Sequence, residues 1–355
     1  MKFNFFGTKS YLGVDIGTTS IKLVELKKSK SAPELLNYGL LETYSHLERL
    51  NDAIQTSALK IDSRKTEELL KILLKNSGVK SRDAVASIPA FATFTSLLDM
   101  PIMPEKDMRQ AMQFQAKQYV PLPISEVTID WLAVGEHKDD KGILTRQILL
   151  ISVPNEYIEI YKIIFRNTGL NLVALEIEGL SDARALTMDI DKLVLIINIG
   201  SRSTSFMIAK NGLMKAGGQT DFSGSSLTQT IASGLNIPVR KAEDLKKQRG
   251  LRGAGGEYEL STLMLPILDV IISEGQRLKD NYEQSSGEKI ARIILSGGGA
   301  NLIGIAAYIQ NQTAIPTAAK NPFSQISYSS DIEPLIAELG PAFSVAVGLG
   351  LRQLI

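Results

Sequence analysis

The chain has 355 residues, 44% of them hydrophobic, and is long enough to bury one large core or two lobes. Its formal net charge of +1 gives no electrostatic reason to expect a nucleic-acid partner, and the absence of cysteine excludes disulfides and thiolate chemistry. Two histidines are too few for a histidine metal cluster, and no apolar run of about 18 residues is present that would insert directly in a membrane. The first seven residues are too short and too weakly charged for a signal peptide, which favours a cytoplasmic protein.

Hydrophobic periodicity predicts strands that alternate with helices in both halves of the chain. In the first half, the predicted strands span 11–16, 21–27, 34–42, 84–88, 127–134, 146–153 and 172–177, and the predicted helices span 66–77, 104–119 and 155–167. In the second half, strands are predicted at 193–199, 204–209 and 213–218, and helices at 239–248, 260–282 and 340–350. Three closely spaced strands therefore open each half.

A short turn sequence occurs twice, each time between two predicted strands. Asp-Ile-Gly-Thr-Thr-Ser at 15–20 recurs as Asn-Ile-Gly-Ser-Arg-Ser at 198–203. Gly17 and Gly200 permit a tight turn and a close backbone approach, and the hydroxyl residues beside them add hydrogen-bond donors. Two ordinary hairpin turns are the alternative. The duplication favours two turns that hold a polyphosphate from opposite sides through their backbone amides.

A third turn contains three consecutive glycines. The apolar run Ile293-Ile294-Leu295 is followed by Ser296 and then by Gly297, Gly298 and Gly299, after which a helix begins. Three glycines remove every side chain where a flat ring or a ribose could lie against the backbone. An ordinary connector between a strand and a helix is the alternative, and the two phosphate-type turns upstream favour a nucleoside site.

The order of these three motifs resembles that of the actin-like ATP-binding superfamily. Further segments resemble the PilM family of type IV pilus assembly proteins, on the branch that includes FtsA; they lie at 10–26, 86–89, 176–178, 183–186 and 236–243. The resemblance covers nearly the whole chain. It implies an α/β fold of the actin-like (ribonuclease H-like, duplicated) type with two lobes and an FtsA-type small subdomain inserted in the first lobe.

The resemblance also implies domain boundaries. The first-lobe core is expected at 1–91 and 166–190, with the inserted small subdomain at 92–165. The second-lobe core is expected at 191–224 and 290–355, with a helical subdomain at 225–289. The helix at 340–350 is rich in small residues, and a close crossing with 181–186 is expected to form the hinge between the lobes.

In the family, these turns bind ATP and magnesium. The implied phosphate-binding residues are Asp15, Gly17, Thr18, Thr19, Ser20 and Lys22 in the first segment, and Asn198, Gly200, Ser201 and Ser203 in the second; Gly297, Gly298 and Gly299 form the adenosine segment. Asp15 is expected to orient waters on magnesium, which prefers oxygen ligands and keeps much of its hydration shell. The alternative is that Asp15 caps its own turn.

The second segment departs from the family pattern at two positions. Asn198 stands where many relatives have aspartate, so it can bind magnesium through a water but adds no negative charge. Arg202 is unusual in a phosphate turn and either contacts phosphate or points to solvent. We therefore expect ATP binding with at most slow hydrolysis, and no catalytic residue is assigned. Asn198→Asp is expected to tighten magnesium binding.

Recognition of the base is assigned to one predicted helix. Glu243, Lys246 and Lys247 are spaced at i, i+3 and i+4, so they share one helical face. Related chaperones and FtsA use an acid followed by bases at this spacing to hold the ribose and adenine. A solvated helix face with a salt bridge is the alternative. Gly218 and the segment 222–224 correspond to the turn between the lobes in the family.

Two classes of function remain. One is an adaptor with a peptide-binding groove between the first lobe and its insertion, and the resemblance implies that the peptide is the N-terminal cytoplasmic tail of PilN. The other is a small-molecule kinase of the same fold. The segment 114–123 is aromatic, aliphatic and rich in proline, which suits a peptide better than a sugar. Phe91, Phe114, Tyr119 and Pro121 are the predicted contacts. Burial of Phe114 and Tyr119 in the subdomain core is the alternative.

The C-terminal residues distinguish between an FtsA-like protein and a PilM-like protein. FtsA, a polymerising division scaffold, ends in a basic amphipathic helix that attaches to the membrane, whereas this sequence stops at Leu351-Arg352-Gln353-Leu354-Ile355. We therefore expect a cytoplasmic protein that a partner recruits to the inner membrane. The resemblance also implies contacts with other inner-membrane and motor components of the pilus, and it allows self-association.

Overall fold

A computed structural model of the chain describes residues 9–42, 63–138, 142–251 and 257–355. In chain order, the strands β1 to β13 are Ser10–Ile16, Ser20–Lys27, Glu34–Glu42, Asp83–Ile88, Phe94–Pro101, Val127–Lys138, Leu144–Pro154, Asn171–Ile177, Val194–Ile199, Thr204–Lys210, Leu213–Thr220, Arg292–Ser296 and Thr317–Ala319. The helices α1 to α10 are Ser63–Ser77, Glu105–Tyr119, Asn155–Asn167, Glu178–Thr187, Gly224–Leu235, Val239–Arg249, Glu257–Ser286, Ile305–Thr313, Glu333–Leu339 and Ser344–Leu351. The N-terminal residues considered as a signal peptide lie outside the described ranges.

Two five-stranded sheets share one topology. The first sheet has the order β3-β2-β1-β4-β8 and the second has the order β11-β10-β9-β12-β13. In both, three antiparallel strands are followed by two strands that run parallel to the first strand of the meander. The repeated turn sequence therefore connects the first two strands of each sheet, as the sequence predicted. The duplicated, two-lobed α/β fold is confirmed.

The inserted subdomain contains a three-stranded sheet with the order β5-β7-β6. Helix α2 covers one face of this sheet because Met108, Met112 and Ala116 recur every four residues and are buried against Leu98 and Ile148. The central strand β7 is almost entirely buried, since both faces of the sheet are covered. Strand β5 was not among the strands predicted from the sequence.

The second face of the insertion sheet packs on the centre of the molecule. Leu149 and Ile151 of β7 belong to an apolar cluster that also contains Met207 and Met214 of the second sheet. On the same side, the ammonium group of Lys215 in β11 donates a hydrogen bond to the carbonyl oxygen of Val134 in β6. The insertion therefore contacts the second lobe as well as the first.

Helix α3 belongs to the first lobe. Tyr161, Ile164 and Phe165 are fully buried in the apolar cluster formed by strands β1 and β2 and helix α1. The boundary that we predict at residue 165 falls inside this helix. Tyr157 and Ile158, near the start of α3, pack against the apolar cluster that contains Leu149 of β7.

Helices α4 and α10 cross at the centre, as the small residues of the sequence predicted. A Cβ atom on Gly348 would lie 2.0 Å from the carbonyl oxygen of Ser181, and one on Gly13 would lie 2.1 Å from the carbonyl oxygen of Ala346. Arg184 of α4 donates to the carbonyl oxygen of Gly348 over 2.8 Å and forms an ion pair with buried Glu176 at 2.6 Å. The two backbones are therefore in direct contact.

Among the described residues, no single helix is both long enough and apolar enough to cross a membrane.

Candidate functional site

A cavity of about 820 Å³ lies between the two repeated turns. Its walls come from both lobes and include these residues of the three glycine-containing segments: Asp15, Gly17, Thr18, Thr19, Ser20, Lys22, Asn198, Gly200, Ser201, Ser203, Gly297, Gly298 and Gly299. Glu243, Lys246 and Lys247 line it as well. The fold therefore brings nearly all of the predicted nucleotide-binding residues together around one cavity.

The first turn is closed by its own backbone. The amide of Gly17 donates to the carbonyl oxygen of Ser20 over 2.9 Å. The carboxylate of Asp15, at the end of β1, is 5% exposed and accepts hydrogen bonds from Lys22 Nζ at 3.0 Å and Ser87 Oγ at 3.4 Å. These side-chain partners argue against the alternative in which Asp15 caps its own turn. The Asp15 carboxylate therefore lies at the cavity wall, and the Lys22 ammonium group beside it partly neutralises its charge.

The second turn is held more firmly than the first. The amide of Gly200 donates to the carbonyl oxygen of Ser203 over 3.0 Å. The carbonyl oxygens of Gly200 and Ser201 accept from the amides of Gly224 and Ser225, the first two residues of α5, over 3.0 and 2.9 Å. Ser223 caps α5 and also donates to Ser201 over 2.8 Å. The turn is therefore fixed against the N-terminus of a helix, where amide groups are available as donors.

Asn198 is bonded to a buried carboxylate that the sequence analysis did not identify. Its Nδ2 donates to Oδ2 of Asp182 in α4 over 2.6 Å, and Asp182 is completely buried. Burial raises the pKa of Asp182 to about 6, although hydrogen bonds from Ser344 and Asn198 lower it in part. An aspartate at position 198 would face Asp182 at this distance. The expectation that Asn198→Asp tightens magnesium binding therefore no longer follows.

Glu178 is a second carboxylate of the site that the sequence analysis did not assign. It lines the cavity directly after β8, and the amide of Ala90 donates to its Oε2 over 3.2 Å. Burial and the negative charge of Asp15 raise the pKa of Glu178 to about 8. The sequence signal for Glu178 is its position directly after a predicted strand. Strands β1, β4 and β8 run parallel, so their carboxyl ends meet at one edge of the sheet, where Asp15 also lies.

The predicted base-recognition residues divide into two groups. Glu243 and Lys246 form an ion pair of 2.7 Å, and both bond to Thr228 of α5, at 2.5 and 2.7 Å. Lys246 also donates to the carbonyl oxygen of Gly224 over 2.8 Å. Lys247 lies 3.7 Å from Glu243 and is 55% exposed, as the solvated-face alternative predicts. Glu243 and Lys246 line the cavity and also support the helix N-terminus that anchors the second turn, and their contact with a base stays a prediction.

The three glycines have different packing. Gly297 has a φ of +76°, and a Cβ atom there would lie 2.3 Å from Oδ1 of Asn198. A Cβ atom on Gly299 would lie 2.4 Å from Cγ2 of Ile199. At Gly298 nothing lies within 4 Å, so this residue leaves open space in the cavity wall. Gly218, also predicted for the site, lies in β11 against Leu278 and is not among the described residues that line the cavity.

The predicted partner residues lie in two environments. Phe91 lines the cavity and packs on the central apolar cluster. Phe114 and Tyr119 lie on α2 with 66% and 48% of their surfaces exposed, and Pro121 is exposed just beyond that helix. The alternative in which Phe114 and Tyr119 are core residues of the subdomain is wrong, because Met108, Met112 and Ala116 occupy the buried face of α2.

The family of the chain follows from its match to known sequences. The family model described as type IV pilus assembly protein PilM matches residues 13–354. The chain belongs to the PilM family. The resemblance predicted from its motifs is confirmed.

Solved structures agree with this family fold. The structure titled PilM–PilN type IV pilus biogenesis complex has a TM-score of 0.82 and 23% identity, covering 98% of this chain and 99% of that chain. Ethanolamine utilization protein EutJ from Carboxydothermus hydrogenoformans has a TM-score of 0.57 and 17% identity over 98% and 91% of the two chains. MreB5 of Spiroplasma citri bound to ADP has a TM-score of 0.55 and 15% identity over 98% and 97%. The actin-like fold is shared across all three.

Proposed function

We propose that this PilM-family protein is an ATP-binding adaptor of type IV pilus assembly. In this proposal, it binds the N-terminal cytoplasmic peptide of PilN and is recruited in this way to the cytoplasmic face of the inner membrane. The match of the family model over residues 13–354 carries the proposal, together with the similarity to a solved PilM–PilN complex. The cavity between the duplicated turns supplies the nucleotide site.

The residues present fit a nucleoside triphosphate with magnesium. Gly17 and Gly200 keep the two turns tight, because a Cβ atom there would lie 3.1 Å from the carbonyl oxygen of Ser20 and 2.9 Å from that of Ser203. Gly298 leaves space where a ribose or base can lie. Asp15 would hold magnesium through water, and the ion when bound would neutralise phosphate charge. Among the described ranges, no three His, Cys, Asp or Glu side chains converge to hold a metal ion. An ion held mainly by phosphate oxygens and waters fits that arrangement.

Slow hydrolysis fits the state of Glu178. A general base must be deprotonated to accept a proton from water, and a carboxyl group with a pKa of about 8 is protonated in most molecules at neutral pH. Asn198 is an amide that donates to Asp182, so the second turn adds no carboxylate of its own at this position. We therefore expect turnover far below the ordinary enzymatic rate of about 10 per second.

The peptide site is proposed beside the insertion. Phe114 and Tyr119 offer exposed aromatic surface on α2, and Pro121 extends it. Such side chains supply large contact area with little loss of rotamer entropy, so a few of them can anchor a peptide of roughly ten residues.

Calorimetry with ATP, with and without magnesium, tests the nucleotide half of the proposal. Wild-type protein should bind ATP more tightly with magnesium, and Asp15→Asn should remove that difference. Because Asp15→Asn also leaves Lys22 without its 3.0 Å ion pair, the double variant Asp15→Asn/Lys22→Gln serves as the control for stability. An unchanged response to magnesium in both variants would contradict the role of Asp15. Phosphate release at ordinary enzymatic rates would contradict an adaptor with slow turnover.

A further inference from the structure

Of the residues that the structure describes, four cationic side chains line the cavity: Lys22, Arg202, Lys246 and Lys247. The three lysines have carboxylate neighbours, since Lys22 lies 3.0 Å from Asp15, and Lys246 and Lys247 lie 2.7 and 3.7 Å from Glu243. Within the described part of the chain, no ion pair or hydrogen bond joins the guanidinium of Arg202 to another residue. Among the described residues, Arg202 is therefore the cation of this cavity that no protein anion pairs.

The partial burial of Arg202 removes some of the water that would otherwise hydrate its guanidinium charge. Its side chain is half-buried at the cavity wall, and burial lowers the pKa of its guanidinium below the usual value. No carboxylate in the described ranges offsets this effect. Arginine nevertheless keeps its charge in proteins, so the guanidinium remains a partly desolvated cation. Such a group is stabilised when an anion with suitable acceptors enters the cavity.

The backbone that carries Arg202 is already in place. Both carbonyl oxygens before it, of Gly200 and Ser201, are bonded to the start of α5, and the amide of Gly200 bonds Ser203. Binding an anion would therefore require little reorganisation of the turn. On the same segment, Asn198 brings no negative charge and is bonded to buried Asp182. The second turn thus presents positive charge to the cavity.

We propose that Arg202 is a polyphosphate ligand of the second lobe, and that it supplies part of the positive charge that magnesium would otherwise provide. The planar guanidinium can donate two parallel hydrogen bonds to phosphate oxygens, which an ammonium group cannot reproduce. This inference rests on the proposed nucleotide function and adds to it a named ligand and a reduced dependence on the metal ion.

The test measures binding of ATP and of inorganic tripolyphosphate by calorimetry, in magnesium and in EDTA. Arg202→Gln should weaken both ligands by about tenfold or more, with the larger loss in EDTA, because a charge-assisted hydrogen bond is removed. Arg202→Lys should recover only part of that loss. Arg240→Gln removes an exposed cation of the same lobe outside the cavity and should leave both affinities within about threefold.

The outcomes separate this inference from the proposed function. Equal affinities of wild type and Arg202→Gln in both media, with unchanged melting temperatures, would overturn the role of Arg202. A wild-type protein that binds tripolyphosphate through Arg202 but not ATP would overturn ATP binding and leave the polyphosphate ligand standing. A wild-type protein that binds neither would overturn both. A loss in magnesium alone, with none in EDTA, would refute the compensating role.

Discussion

The side-chain nitrogen of Asn198 lies 2.6 Å from Oδ2 of Asp182, and this hydrogen bond joins strand β9 of the second sheet to helix α4. Asp182 is completely buried, and burial raises its pKa to about 6. The amide is therefore the partner that a buried carboxylate needs at this point. An asparagine that departs from the family pattern has a structural role here.

Asn198→Asp should destabilise the protein increasingly as the pH rises. Two carboxylates would then share a buried site, and one must be protonated, so the loss should be of the order of 3 kcal/mol above neutral pH and smaller near about pH 5. Urea unfolding across this range measures it. Asn198→Ala loses the hydrogen bond without adding charge and is the control. A loss that is equal for Asn198→Asp at all pH values would contradict the argument.

Gly348→Ala should destabilise the fold by about 3 kcal/mol or more, because the added methyl group would lie 2.0 Å from the backbone of Ser181 and neither helix can move without disturbing the core. Thermal unfolding measures the effect. Gly218→Ala is the matched control, since its new methyl group would meet only Leu278 at 3.9 Å. Similar melting temperatures for the two variants would show that the contact between α4 and α10 can relax.

Glu178→Gln should stabilise the protein relative to wild type as the pH rises. The pKa of the Glu178 carboxyl group is about 8 in the folded protein, against a reference value of 4.5. At a pH between these two values, the folded state therefore holds a proton that the unfolded state has released. Wild-type stability therefore falls with pH across this window, and the glutamine variant lacks this contribution. Urea midpoints at both ends of the window measure the difference.

Phe114→Ala should weaken binding of the PilN peptide by about 2 kcal/mol, because exposed aromatic anchors carry most of the energy of such sites. The fold should be unaffected, since 66% of the Phe114 surface is exposed. Fluorescence anisotropy with a labelled peptide gives the affinity. Ile72→Ala removes a side chain with 47% exposure on α1 and is the control. Crosslinks from the peptide to 243–248 would place the groove elsewhere.

The repeated elements could be predicted from the sequence because their signals are local. The turns at Gly17 and Gly200 are flanked by strands whose periodicity spans only a few residues, so the duplicated meander followed directly. Strand β5 was missed because it follows the turn at Pro89 without regular alternation. The two-lobed fold was expected from the family resemblance, whereas the order of the parallel strands was given only by the structure.

The electrostatics of the site could not be predicted in the same way. Asp182 lies 16 residues from Asn198 and reaches it only because α4 packs against the second sheet. Whether Arg202 has a partner depends on which carboxylates face it, and the sequence does not contain that information. The exposure of Phe114 likewise depended on which side of α2 the insertion sheet covers.

Strand β7 lies between the second lobe and helix α2, and its two faces pack against them from opposite sides. Its Leu149 and Ile151 touch the same cluster as Met214 of β11, whereas Ile148 and Leu150 touch the buried face of α2. Close-packed layers resist compression, so they transmit small displacements. A sub-ångström slide of β11 would therefore reach the helix that bears Phe114 through direct steric contact.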